Sequence, residues 1–433
     1  MNNEMLTSKD KYKSSRILYI IEAALEYFIS LMVGGEYLAL LTSEIGLSDS
    51  TTGILTSFVS LGFTFQLLAI LFMRKGSVKR RVSILHSVNQ LLFALLYVVP
   101  FIEISTTVKT IIFIVLLLVG HALNNVVNSP KINWFMSLVD DKKRGRFTAN
   151  KEIISLLGGM VFSFAMGSVI DYYKAEDNAT AAFVVCGITL FGLAVLHTLT
   201  LVFSKEKPVD TKAPDVPAGR LIGELMRDKK YLRVIVLSVL WHVANYATSP
   251  FYGTYKIKEL GFSMTFVAIL SAAYAICRSL FSRPMGKLAD KYSFAKMLLV
   301  CYGIKLLAYL LNVFVVPSNG WWLYTIAYMV TAVAMAGINS AEINLVYESV
   351  SHEKRVCALA LKSTISGLAG FVTTVIMSKL VEHIQNSGNK FLGMHVYAQQ
   401  VTAATAVVLI SILIVYLYFV IIKKSEKDQV KKV

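Results

Sequence analysis

Charge, proline and cysteine are all scarce in this chain. Only 16% of its 433 residues are Asp, Glu, Lys or Arg, while 55% are hydrophobic and mean hydropathy is +0.60. Soluble domains carry about 25% charge, so a soluble globular protein of this length is excluded. Cys186, Cys277, Cys301 and Cys357 are the only cysteines, and they fall in or beside long apolar runs. Their spacing suits neither a disulfide framework nor a zinc site, so no metal centre is expected. The chain has no glycine-rich phosphate loop, which excludes ATP as the driver. It has no His/Asp set at metal spacing and no activated nucleophile, which argues against a membrane enzyme. No cofactor is expected. Acidic residues are the scarcer charge, 27 against 43 basic, for a net charge of +16.

What is abundant is the long apolar run. A bilayer core needs about 20 apolar residues per helix. Twelve such segments are expected, at roughly 17–43, 51–73, 82–102, 108–137, 147–171, 181–203, 231–256, 264–289, 295–316, 321–348, 356–383 and 397–422. The basic excess follows their order. Of the 43 Lys and Arg, 34 lie in the two termini and alternate loops, 5 in the opposite loops and 4 inside segments. This positive-inside bias puts both termini in the cytoplasm of a multi-pass protein of the cell membrane. It also removes nucleic acid as the reason for the charge; the basic surface faces lipid headgroups. The N-terminal polar stretch leads into an apolar run too long for a signal-peptide core and has no small-residue cleavage site.

The chain also repeats itself. Residues 128–171 align with 339–382 at an offset of 211, with 15 identities in 44 positions. Chance would give about three. Each copy ends one apolar segment, crosses a basic loop and begins another. A repeat with its loop on the same side in both halves contains an even number of spans, here six. Three of the eight prolines, Pro208, Pro214 and Pro217, fall between segments six and seven. The expected organisation is a six-helix bundle over 1–203, a cytoplasmic linker over 204–230 and a second bundle over 231–433. Leu221, Ile222, Leu225 and Met226 give the end of the linker a short amphipathic turn suited to a membrane surface.

After segment eight the chain reads Gly286, Lys287, Leu288, Ala289, Asp290, Lys291, Tyr292, then Lys296. A glycine four residues before an aspartate, followed by basic residues, resembles the loop signature of the major facilitator superfamily. The equivalent loop after segment two keeps Gly76 and its basic run but has Ala69 and Met73 where the pattern wants Gly and Asp. With twelve spans, the six-plus-six repeat and the linker, the resemblance covers nearly the whole chain. It implies an all-α integral membrane fold of two pseudo-symmetric six-helix bundles, acting as a monomer. It assigns Gly286, Asp290 and Lys291 to gating, with the glycine allowing close helix approach. The Gly-Pro pair of drug antiporters in span five and the sugar-porter signatures are absent.

The same resemblance implies that spans one, four, seven and ten line a central cavity. These are the most polar spans of the chain. An ionisable side chain at bilayer depth costs about 2.5–3.5 kcal/mol on insertion scales, so it usually faces water or a partner. Span one carries Glu22 and Glu26, one turn apart on one face, with Tyr27 beside them. Like charges so close in a low dielectric favour protonation of at least one, which suits a proton carrier. Together with a span-four lysine and a span-ten glutamate, the layout is similar to that of proton-coupled oligopeptide transporters. Here the spacing differs by one, and the arginine after the second glutamate is missing. Lys131 and Glu342 occupy the same repeat position in the two halves, so symmetry makes them a candidate gate pair, with Glu342 also a candidate proton site. Asn124, Asn128, Lys131, His242, Asn245, Tyr246, Asn339 and Arg278, with Tyr27, are the candidate substrate-binding residues. Lys305 falls mid-span in segment nine, and Lys379 near the end of segment eleven is expected to snorkel to the interface.

The leading expectation is a secondary transporter working by alternating access, with a cavity lined by charges of both signs. It would carry a small polar or charged organic solute together with protons. Efflux of a drug or metabolite by proton antiport is the runner-up, and a transporter-like solute sensor is a third reading.

Overall fold

The computed structural model describes residues 11–72, 77–140, 143–207 and 218–424. The linker prolines Pro208, Pro214 and Pro217 and the loop residues Met73 to Gly76 lie outside the described residues.

Nearly every described residue is helical, as a lipid environment demands of a chain whose backbone groups must bond within their own segment. Among the described residues, ten helices are long and apolar enough to cross a membrane: Asp49–Ala69, Thr106–Ser137, Arg146–Ala175, Ala179–Phe203, Lys229–Glu259, Met264–Lys291, Phe294–Val313, Gly320–Ser349, Arg355–Asn386 and Ala398–Ile422. Lys13–Met32 and Gly35–Glu44 form an eleventh span bent by 45°. The bend falls where Gly35 takes φ +51°, a left-handed conformation that glycine adopts without a Cβ clash. The remaining expected segment is the helix Val78–Leu95, whose first turn holds Lys79, Arg80 and Arg81 and so dilutes its apolar character. In chain order these are spans one to twelve, with Val78–Leu95 as span three.

Local sequence sets the starts of several spans. Side-chain oxygens of Ser48, Ser77, Ser105, Asn178, Asp228 and Ser293 each accept a first-turn backbone N–H. Each satisfies a donor that the helix itself cannot. Residues such as Val161, Ile188 and Leu280 are left exposed, as lipid-facing side chains are. Lys379 is exposed too, whereas Lys305 is buried, its Nζ 3.4 Å from Thr331 Oγ1 and 4.5 Å over the Tyr309 ring. Lys256, read from sequence as part of an external loop, is instead buried within span seven, over the rings of Tyr324 and Tyr328.

The chain divides into two compact units. One comprises Met1–Leu47, Phe65–Asp215 and Ser263–Ala268; the other comprises Ser48–Thr64, Val216–Phe262 and Ile269–Val433. The division departs from the sequence boundaries at two places, and hydrogen bonds explain both. In the first unit, the Asp171 carboxylate accepts the backbone N–H groups of Met264 and Thr265 at 2.8 and 2.7 Å, capping the start of span eight. Gly167 lies close by, where a Cβ would meet the Met264 carbonyl oxygen at 2.8 Å. In the second unit, Asp49 at the start of span two accepts from Lys258 Nζ at 2.7 Å and Gln385 Nε2 at 2.8 Å. Further along span two, Ser60 Oγ donates to the Gly367 carbonyl at 2.8 Å.

The short helix Ala218–Leu225 forms where the amphipathic turn was expected, with Leu225 buried. Glu224 on it takes hydrogen bonds from Lys354 and Arg220, which hold its carboxyl below the usual carboxylate range.

Candidate functional site

In the first unit, five ionisable side chains from four spans converge. Span one supplies Glu22 and Glu26, span three His86, span four Lys131 and span six His197. Helical spacing points both glutamates the same way, because residues four apart share a face. Lys131 follows Pro130 inside span four and is 3% exposed, so it does not snorkel to the surface. Glu22, His86 and His197 are fully buried; only Glu26 is partly open, its side chain 23% exposed.

Glu22 Oε1 is the centre of the cluster. Lys131 Nζ lies 3.0 Å from it, His197 Nε2 3.1 Å and His86 Nδ1 3.4 Å. The Lys131 ammonium also donates to Glu26 Oε2. His86 Nε2 lies 3.4 Å from Glu26 Oε1, and the His86 and His197 rings meet edge to face at 4.5 Å. Gln90 backs the His86 ring, its Nε2 3.1 Å from His86 Nε2 and 2.7 Å from Asn89 Oδ1, and Asn89 in turn donates to the Gly120 carbonyl. Several buried polar atoms here have no hydrogen-bond partner: Glu22 Oε2, His86 Nδ1, His197 Nδ1 and Gln90 Oε1.

This geometry revises the sequence picture of two bare, mutually repelling carboxylates. A buried ammonium bridges them, and an opposite charge at that distance favours the ionised form of both. The donor atoms of Glu22, His86 and His197 all lie within 4.8 Å of one another, a spacing seen among metal ligands. Lys131 stands against the same Glu22 oxygen, so the cation this cluster holds is the ammonium. Chemically, two carboxylates, one ammonium and two imidazoles can take up or release protons among themselves without solvent.

The second unit holds a simpler pair. Glu342 of span ten accepts from Lys362 of span eleven at 2.7 Å, both nearly buried, while Glu342 Oε1 has no hydrogen-bond partner. The expectation that Lys131 and Glu342 pair with each other is therefore not needed to compensate either charge, since each has a partner inside its own unit. His242 donates through Nδ1 to the Ser238 carbonyl, 2.9 Å away, and stacks on Tyr246. Asn245 lies 3.4 Å from both Ser249 Oγ and Tyr309 Oη. Arg278 is half-buried in span eight, and Asn339 is exposed on span ten.

Other expected residues fall elsewhere. Asn124 is half-buried with an unpartnered Oδ1, Asn128 is exposed, and the Tyr27 ring packs where a Cβ on Gly159 would sit. Gly286 is exposed and a Cβ on it would meet nothing within 4 Å, so the close helix approach expected there is not made. Asp290 and Lys291 are exposed beside it, the latter over the Tyr292 ring. Sequence reasoning singled out Glu22, Glu26 and Lys131 but matched Lys131 with Glu342 rather than with the two glutamates, and it missed His86, His197 and Lys362. The criterion that singled out His242, an imidazole in an apolar run, applied equally to His86 and His197. Lys362 was counted with a basic loop although it lies inside span eleven.

A sequence profile described as Major Facilitator Superfamily matches residues 19–374 and again 234–432. No curated protein sequence matches the chain. Three solved structures are similar in fold. The nucleoside transporter NupG aligns at TM-score 0.67 and 15% identity, over 93% of this chain and 98% of that one. A D-xylose-proton symporter aligns at 0.66 and 13%, over 92% and 96%. A bacterial homologue of the human lysosomal transporter Spinster, inward-facing and unoccupied, aligns at 0.62 and 14%, over 94% and 95%.

Proposed function

This chain belongs to the Major Facilitator Superfamily, and from that premise we propose that it is a proton-coupled symporter of a small polar or charged organic solute. As a multi-pass membrane transporter it would work by alternating access, with six-helix bundles over 1–203 and 231–433 rocking about a midplane site. We place it in the cell membrane as a monomer, with both termini cytoplasmic, on the charge bias of its loops.

One observation carries the coupling. Glu22 and Glu26 share the single ammonium of Lys131, so the cluster has one carboxylate in excess of its fixed cations. A buried excess charge is expensive, and one proton neutralises it. Loading that proton from one side and releasing it to the other would let a gradient drive the solute. A potential of 100 mV supplies about 2.3 kcal/mol for each proton moved inward. The Glu342–Lys362 pair has no such excess, which assigns it a structural or gating part in preference to proton carriage. Tyr27, Asn124, His242, Asn245, Tyr246 and Arg278 remain the proposed solute contacts.

The test is a proton-flux assay in liposomes loaded with a pH-sensitive dye. Uridine, D-xylose, single amino acids and dipeptides are offered in turn under an inside-negative potential. One class is expected to acidify the lumen. Glu22→Gln and Glu26→Gln should abolish that acidification and the accumulation of solute while leaving solute exchange partly intact. Accumulation at parental level in both variants would make these residues structural. Lumen alkalinisation on solute entry would instead support antiport, the efflux reading.

A further inference from the structure

The span-three histidine has a position that neither the charge count nor the repeat explains. Its ring lies between the two carboxylates, Nδ1 3.4 Å from Glu22 Oε1 and Nε2 3.4 Å from Glu26 Oε1. It is fully buried, and Nδ1 has no hydrogen-bond partner. We infer that His86 carries the coupling proton, as an imidazolium that bridges Glu22 and Glu26. The inference rests on the proposed proton coupling and names the group that performs it.

The chemistry of the ring favours this. A neutral imidazole has one N–H and one bare lone pair. Between two carboxylate oxygens, one ring nitrogen would then set its lone pair against an anion. An imidazolium donates from both nitrogens and suits both neighbours. The groups facing it are Glu22 and Glu26 from span one, Lys131 from span four and His197 from span six. With His86 charged, two anions meet two cations, and the cluster is balanced.

The alternatives fit less well. Glu22 Oε1 faces three nitrogens and each oxygen of Glu26 faces one, so these three oxygens are placed as acceptors, and a proton on Glu22 would have to sit on Oε2, which has no partner to accept it. His197 reaches Glu22 alone, through Nε2, and its Nδ1 has no partner. Gln90 marks the neutral state. Its amide nitrogen, 3.1 Å from His86 Nε2, suits the uncharged ring as acceptor, and its 2.7 Å bond to Asn89 Oδ1 fixes that orientation, so charging the ring requires the Gln90 side chain to move off Nε2. Loading a proton would thus pull Glu22 and Glu26 toward span three, and losing it would release them to Lys131. Proton state and the packing of spans one and three would change together.

The experiment is solid-state NMR of the full chain with ¹⁵N-labelled histidine, in vesicles of phosphatidylcholine and phosphatidylglycerol. At pH 6, in a chain with His352, His383 and His395 changed to Gln, one ring is expected to carry protons on both nitrogens. That signal should vanish in His86→Gln and persist in His197→Gln. In Glu26→Gln the charged-ring signal should fall at least tenfold, because one of its two acceptor charges is gone. If His86→Gln does not fold, His121→Gln, His197→Gln and His242→Gln identify the ring by elimination. A His86 ring that is neutral down to pH 5, or charged but indifferent to Glu26→Gln, overturns the inference. A neutral ring in a protein that still acidifies liposomes overturns it alone. No solute-driven acidification with any probe overturns the coupling on which it rests.

Discussion

Positions 131 and 342 are the same place in the two copies of the internal repeat, yet one is lysine and the other glutamate. Each is buried in a span and each finds its counter-charge within its own unit, but the two solutions differ. Around Glu342 the account closes with one partner, Lys362. Around Lys131 it does not, because two carboxylates and two imidazoles crowd a single ammonium. Both are ion pairs by distance. Only the second can change its protonation without stranding a charge, which separates a structural pair from a site able to do work.

The largest effect should come from removing the ammonium that the first cluster depends on. Lys131→Met leaves two buried carboxylates uncompensated, and unfolding in detergent should show a loss of about 3–5 kcal/mol. Glu342→Gln strands one ammonium and should cost less, near the lower end of that range. The comparison sharpens in the double variants. Glu342→Leu with Lys362→Met replaces a closed pair by apolar contacts and should recover to within about 1 kcal/mol of the parent, as such replacements often do. Lys131→Met with His86→Gln should not, since Glu22 and Glu26 are then left without either cation. Equal recovery in both would erase the distinction. A double-mutant cycle decides the gate. Lys131 should couple to Glu22 by more than about 0.5 kcal/mol, and a comparable coupling between Lys131 and Glu342 would restore the pair read from repeat symmetry.

Smaller effects are expected at the ends of spans. Asp171→Ala removes the cap on the first two amides of span eight and should cost about 1 kcal/mol. Asp171→Asn should keep most of that stability, and if Asn and Ala behave alike, capping is not what the carboxylate contributes. Smallest of all is Glu224, held on the surface by Lys354 and Arg220. Its carboxyl is depressed in the folded state. Its stabilisation is therefore present above the unfolded carboxylate range and fades as pH falls through the folded value. Salt should weaken it further, and Glu224→Gln should flatten a shallow acid-side slope in the thermal midpoint.

Much of the architecture was legible because a bilayer imposes it. Ten of the twelve expected runs became helices long and apolar enough to span and an eleventh became a bent pair, since helix length must match membrane thickness and backbone groups must bond locally. Glu22, Glu26 and Lys131 were each legible as functional candidates because charge inside an apolar run stands out, but their grouping was not. His86 and His197 were not, because a neutral-looking imidazole in spans three and six carries no obvious penalty. The role of Gly286 was misread for a related reason: its spacing in the loop shows nothing of the open space its α-carbon faces.

By itself, then, the sequence determined what the solvent selects: where the apolar helices run and which residues are too polar for lipid. Tertiary structure alone decided which of those polar residues are partners. An ammonium on a long side chain can reach carboxylates on several neighbours, and helix packing rather than spacing in the chain chooses among them. That choice gave Lys131 to span one and Lys362 to span ten. It set His86 between two carboxylates at least sixty residues away in sequence, turning a repeated position into two different kinds of site.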